Sequence, residues 1–253
     1  MVKEAGEFKN VLSKEWILIR KDIFKKKLDK TNFSIDKRYL ICYFFIKKLE
    51  TTNLQRGGMG MSLNLFESMI GNHCSPVLMG LKPSNLVSFS KEKFPELPKY
   101  AELYTEQLKE EGIRMELLCS CKKHYLLLVY RPELLEEYLS NEEARKILAQ
   151  DGYPEAGTLE EMITYLKARY EEKKGVPHEI GIFLGYPLED VKGFQEFNGD
   201  SCKMCGYWKV YGDVEAAKKQ FAKFDKCRGF INEQLGAGRS IHQVIGMKEL
   251  CVA

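Results

Sequence analysis

Cys74 lies in the string Gly71-Asn72-His73-Cys74-Ser75-Pro76, which its Gly-Asn and Ser-Pro pairs mark as a turn. A cysteine held in a polar turn is a candidate nucleophile, because a thiol becomes thiolate at neutral pH only beside a base or a positive charge. His178 is the candidate base, with Glu179 or Asp190 to orient it. Geometry limits this arrangement: adjacent residues of a regular strand point to opposite faces, so His178 and Glu179 cannot both reach one site from a strand. The competing reading makes His73 a turn cap and Cys74 a small buried hydrophobe, free cysteine being among the most buried residue types.

Aromatic and basic side chains supply a second constellation. Tyr186, Tyr207, Trp208 and Tyr211, with Lys209 and Arg131, are candidates to line a pocket for a flat ligand, and His73 and Lys82 join them as ligand-binding candidates. Against this stands a core role for Trp208, with the tyrosines half-buried around it. Cys202-Lys203-Met204-Cys205 has the spacing of a zinc knuckle or a dithiol redox pair. Zinc needs two further ligands, for which Cys227 and either His242 or Cys251 are the downstream candidates. A redox dithiol is expected at a helix N-terminus, whereas this pair precedes a strand. Cys119 and Cys121 more simply pack beside a hairpin turn. The turn from Gly185 into Pro187 lacks a glycine-rich phosphate loop, and Glu189 and Asp190 in the following helical turn would repel an anion.

The chain that must position these groups has 253 residues, 44% hydrophobic and 30% charged, with a net charge of +3. No apolar run approaches the roughly 18 residues of a membrane span. The N-terminus is acidic where a secretory signal is basic, so a cytoplasmic protein with reduced thiols is expected. Residues 1–60 carry 14 Lys+Arg against 7 Asp+Glu, a net of +7, and the remainder carries 25 against 29, a net of −4. The Arg56-Gly57-Gly58 triplet before Met59 and Met61 is what a purine-rich ribosome-binding sequence gives when translated. We therefore expect the native start at Met61 or Met59 and read residues 1–60 as a basic extension, a mis-annotated start. A basic arm for nucleic acid and a helical extension are the alternatives. The acidic balance of residues 61–253 argues against nucleic acid as their partner.

Within residues 61–253 the periodicity predicts one compact α+β domain around a mixed, partly antiparallel sheet of about 4–5 strands. Helices are expected over 62–70 and 98–112, after Ser140 and Thr158, from Pro187, from Asp213 and around 241–245. Strands are expected over 85–89, 113–119, 124–130, 180–184 and 207–211. The four residues between the second and third of these favour an antiparallel hairpin. Ser140 with Glu143 and Thr158 with Glu161 fit capping boxes, and Asp213 fits a helix cap.

Three strings occur in a recognisable order: residues 72–82 (Asn-His-Cys-Ser-Pro-Val-Leu-Met-Gly-Leu-Lys), residues 177–191 (opening Pro-His-Glu-Ile-Gly-Ile-Phe-Leu-Gly-Tyr-Pro) and residues 206–211 (Gly-Tyr-Trp-Lys-Val-Tyr). With Tyr130-Arg131-Pro132 and Gly152-Tyr153-Pro154 between them, residues 61–240 resemble the domain of unknown function 3793 family, uncharacterised bacterial proteins mainly of anaerobic Firmicutes. The resemblance implies a start shortly before the His-Cys-Ser-Pro string and, more loosely, genes for flavodoxin-like and iron-handling proteins as neighbours; it implies no particular reaction, and the cofactor stays open.

Three readings of function follow. The first is a small-molecule or cofactor-binding protein, with thiol- or histidine-dependent catalysis by Cys74, His178 and Glu179 as its enzymatic form. The second is a metal or haem protein linked to iron or redox handling. The third is a non-enzymatic interaction module in which the same residues serve folding only.

Overall fold

The computed structural model describes residues 59–172 and 177–252. These fall in the second of the two units into which the chain divides, Lys37–Ala253. The basic extension up to residue 58, including the Arg-Gly-Gly triplet, lies outside the described residues. The elements run α1 (Met59–Leu78), β1 (Ser84–Ser90), α2 (Leu97–Gln107), β2 (Arg114–Ser120), β3 (His124–Tyr130), α3 (Pro132–Leu139), α4 (Glu142–Gln150), α5 (Leu159–Glu172), α6 (Ile180–Phe183), α7 (Leu188–Glu196), β4 (Met204–Cys205), β5 (Lys209–Val210), α8 (Val214–Gly236), α9 (Ile241–Ile245) and α10 (Lys248–Val252). The class is α+β, as expected.

Strands β2 and β3 fold back on each other across the short connection and form the expected antiparallel hairpin. β1 adds to the other side of β3, also antiparallel, with Ser84 opposite Tyr130 and Ser90 opposite His124. β3 is therefore the centre of the order β1-β3-β2. Its sequence is apolar without alternation because both faces are covered. Leu127 and Val129 enter one core with Val87, Phe89 and Met115. Leu128 and Tyr130 enter a second core on the other face. A register shift between Leu117 and Cys119 lets Leu118 and Cys119 both meet the second core, while Met115 and Leu117 meet the first.

Each core recruits its own helices. The first takes Phe66, Ile70, Cys74 and Val77 of α1, Leu97, Ala101 and Tyr104 of α2, and residues of α8 to α10 such as Ile231, Ile241 and Cys251. The second takes the apolar stripes of α3, α4 and α5, together with Ile182 and Phe183 of α6 and Val191 of α7. A small third cluster joins Trp208 and Val210 to Ala217 and Phe224 of α8.

Several local expectations change. The predicted turn at residues 71–76 is helical: α1 runs through it and carries Pro76 internally. Gly71 is there for packing, since a Cβ at that position would run into Leu235 and Ile231 of α8. Residues 180–184 are not a strand: Ile180–Phe183 form the short helix α6, with Ile182 donating to Glu179 and Leu184 to Ile180 through their backbones. A buried apolar run of this length carries no period that separates the two states. The expected strand at 207–211 shrinks to Lys209–Val210, paired only with Met204–Cys205. Among the described residues the five strands thus form two antiparallel sheets, of three and two strands, rather than one mixed sheet.

Helix starts are closer to expectation. Thr158 and Glu161 exchange the reciprocal bonds of a capping box, at 2.8 and 3.3 Å. Asp213 caps α8 by accepting from the Glu215 and Ala216 amides. At α4 the cap is Asn141, one residue beyond the expected Ser140.

Candidate functional site

Lys82 is the centre of the arrangement. It is 5% exposed, in the loop between α1 and β1. That loop is pinned on both sides. Arg131 donates to the Val77, Leu78 and Glu111 carbonyls at 2.6 to 2.7 Å, which satisfies the open C-terminal end of α1. The Arg131 amide bonds the Pro83 carbonyl, and the Ser84 hydroxyl bonds the Phe183 carbonyl at 2.6 Å. Gly185, at φ 65°, leaves room for the Pro83 ring where any Cβ would sit. The α6–α7 turn can therefore close on the loop, and it brings Tyr186 to Lys82.

The Lys82 ammonium donates to Asn85 Oδ1, and the Asn85 amide nitrogen donates to the His73 carbonyl. Asn85 thus ties the lysine to the backbone of α1. On the other side Lys82 Nζ stands 5.0 Å from the centre of the Tyr186 ring. Tyr186 in turn stacks on Trp208 with ring centres 5.2 Å apart, and its carbonyl accepts from Tyr138. Among the described residues no carboxylate pairs with Lys82. Burial without a counter-ion pushes its pKa down to about 7, opposed only by the nearby Cys74 sulfur.

Cys74 is fully buried in the first core. Burial pushes its thiol up to about 12, although Lys82 works in the opposite direction. At neutral pH the thiol keeps its proton, so the group best prepared to react or to pair here is the amine. One helical position earlier, His73 is half-buried, with its Nε2 3.3 Å from the Asn72 side-chain nitrogen.

The remaining sequence candidates are engaged elsewhere. Glu179 is fully buried and accepts from Arg169 Nε at 2.7 Å and from the Tyr153 hydroxyl at 3.3 Å. His178 lies beside Phe194, ring centres 6.1 Å apart. Arg131 is consumed by the three carbonyls described above. Lys209 donates to the Gly199 carbonyl. Tyr211 stacks on Phe197 at 5.9 Å, and its buried hydroxyl has no hydrogen-bond partner among the described residues. Asp190, 3% exposed, accepts from Trp208 Nε1 at 2.7 Å and from the Tyr211 and Gly212 amides at 2.6 and 2.8 Å. Its carboxylate fixes the β4–β5 hairpin on α7.

Of the metal candidates, Cys202 and Cys205 are neighbours, with sulfurs 3.0 Å apart. Cys227 instead faces Cys251 at 3.3 Å in the first core. Among the described residues no three His, Cys, Asp or Glu side chains gather in a way that would hold a metal ion.

The structure thus brings together His73, Cys74, Lys82 and Tyr186, and adds Asn85, which sequence reasoning passed over as the first residue of a strand. Its type and position carry no distinguishing signal. Only the pairing of β1 against the end of α1 gives it a role.

The sequence profile of the family described as "Protein of unknown function (DUF3793)" matches residues 70–245. The chain belongs to this family. The DUF3793 match spans α1 from Ile70 to the end of α9, and so includes every residue of the Lys82 cluster. No curated protein and no solved structure matches the chain at a significant level. Among the described residues no helix is long and apolar enough to cross a membrane.

Proposed function

We propose that this DUF3793 protein binds a small anionic molecule, a carboxylate in the first instance, at Lys82. The observation that carries the reading is a buried lysine with an amide and an aromatic ring as partners and, among the described residues, no carboxylate. A buried charge without a counter-ion is costly, and a ligand anion would supply the missing partner. Asn85 and Tyr186 hold the ammonium in place before the ligand arrives. Cys74 is a neutral wall of the site in this reading, not its nucleophile, because its thiol is protonated at neutral pH.

Ligand binding would restore the lysine's ordinary tendency to hold a proton. Association is therefore linked to proton uptake when the free protein's lysine is neutral, above about pH 7. Calorimetric titration with acetate, pyruvate and inorganic phosphate tests this directly. The expected result is binding of at least one anion that weakens as pH rises from 7 to 9 and is lost in Lys82→Met. Folded protein that takes up none of the three at 10 mM, on the order of the weakest small-ligand affinities, would overturn the proposal.

A second reading, the interaction module, draws on a different observation. Arg131, Lys209 and Asp190 spend their polar groups on backbone or side-chain partners within the fold, and Glu179 spends Oε1 on Arg169 and Tyr153. It predicts that Lys82→Met alters stability alone.

A further inference from the structure

The Cys202–Cys205 pair is left over by the ligand reading and stands independently of it. The two sulfurs are 3.0 Å apart, about one ångström beyond the roughly 2.05 Å of a disulfide bond. Cys205 is exposed and Cys202 half-exposed. The other close pair, Cys227 and Cys251, has sulfurs 3.3 Å apart, but both residues are 2% exposed inside the first core. Proximity is common to the two pairs, and access is not.

The backbone around the exposed pair is already set for closure. Asn198, Gly199 and Ser201 all occupy the left-handed region, at φ 51°, 79° and 57°, and turn the chain back just before Cys202. Lys209 holds the Gly199 carbonyl on one side of this turn. The Lys203 amide bonds the Val210 carbonyl at 2.8 Å, and the Gly206 amide bonds the Trp208 carbonyl at 3.0 Å. The residues that flank both sulfurs are thus fixed by the Trp208 and Val210 carbonyls rather than by the cysteines themselves.

We propose that Cys202 and Cys205 form a reversible redox dithiol, oxidised to an intrachain disulfide by low-molecular-weight disulfides. Cys205, the exposed member, attacks as thiolate one sulfur of the incoming R–S–S–R. The R–S–S–R bond breaks, a Cys205–S–S–R mixed disulfide forms, and one RS⁻ leaves and takes up a proton. Cys202 then gives its proton to solvent and attacks the Cys205 sulfur, releasing the second RS⁻. Two cysteines lose two electrons in total, and one small disulfide becomes two thiols. Burial and the hydrogen bond to Cys205 push the Cys202 thiol up, which suits the resolving partner. The product covalently closes the hairpin that carries Trp208.

The full-length protein, reduced and then equilibrated in glutathione buffers of rising oxidised fraction, tests the assignment by acid quenching, thiol alkylation and peptide mass mapping. Cys202 and Cys205 are expected to escape alkylation together, as one intrachain pair that dithiothreitol reopens. Cys202→Ser is expected to stop at a glutathione mixed disulfide on Cys205, and Cys205→Ser to leave Cys202 reduced at the same buffer ratio. Full alkylation of both cysteines across the series overturns the proposal. Pairing of either with another cysteine, or failure of Cys202→Ser to trap the mixed disulfide, overturns it as well.

Discussion

At the scale of single residues, the buried charges decide what is measurable. Lys82 titrates at about 7 in the folded chain and near the ordinary 10.5 when unfolded. Between these values the unfolded state holds one more proton than the folded state, so stability rises with pH; below about 7 both states hold the proton and the slope vanishes. Cys74 acts in the opposite sense, since its thiol titrates near 9 unfolded and at about 12 folded, and it lowers stability only above pH 9. Urea titrations of wild type and Lys82→Met should therefore differ in slope between pH 7 and 9, the wild type gaining about 1.4 kcal/mol per pH unit relative to the variant. Parallel curves would contradict the burial of a neutral amine.

Glu179 gives a second residue-scale test. Its partner Arg169 is the cation that balances a fully buried carboxylate. Arg169→Met leaves that charge unpaired and is expected to cost about 3–5 kcal/mol in urea unfolding at neutral pH, whereas Arg169→Met with Glu179→Met recovers much of the loss.

At the scale of elements, the ends of helices explain more than their middles. Arg131 closes the C-terminus of α1 with bonds to the Val77 and Leu78 carbonyls, ties it to the Glu111 carbonyl beyond α2, and at the same time sets the loop that carries Lys82. Arg131→Met should cost about 2–3 kcal/mol and weaken any ligand bound at Lys82, since hydrogen bonds from a charged donor are lost and carbonyls are stranded. Arg131→Lys should rescue little of this in the same unfolding and calorimetric measurements, because one ammonium cannot reproduce the planar fork of a guanidinium. In the sequence Arg131 reads as a ligand-binding candidate because nothing there marks a helix end beside it. The end of α1 was itself hidden, because Gly71 and Pro76 read as turn residues although the helix passes through both.

At the scale of the whole unit, the three-stranded sheet separates two cores that share its strands and little else. Leu127 and Leu128 are consecutive in β3, both fully buried, yet they belong to opposite faces. Each truncation to alanine is expected to cost about 2–5 kcal/mol through the cavity it opens. Because the two sites share no packing partners, the double variant should equal the sum of the singles within about 0.5 kcal/mol, despite their adjacency. Strong coupling in a urea double-mutant cycle would show that the cores relax into one another through the sheet.

Local chemistry by itself determined the α+β class, the β2–β3 hairpin, and the Thr158–Glu161 and Asp213 caps, because hydrophobic period, turn residues and side-chain-to-amide bonds act over a few neighbouring positions. Tertiary structure alone decided that residues 180–184 coil rather than extend, that the strands divide into two sheets, and that Lys82 meets Cys74, Asn85 and Tyr186 while Glu179 goes to Arg169. Those outcomes depend on which carbonyls, carboxylates and rings lie across the fold from a residue far away in the chain. Burial, which pushes the Lys82 amine down and the Cys74 thiol up, exists only once the cores have closed.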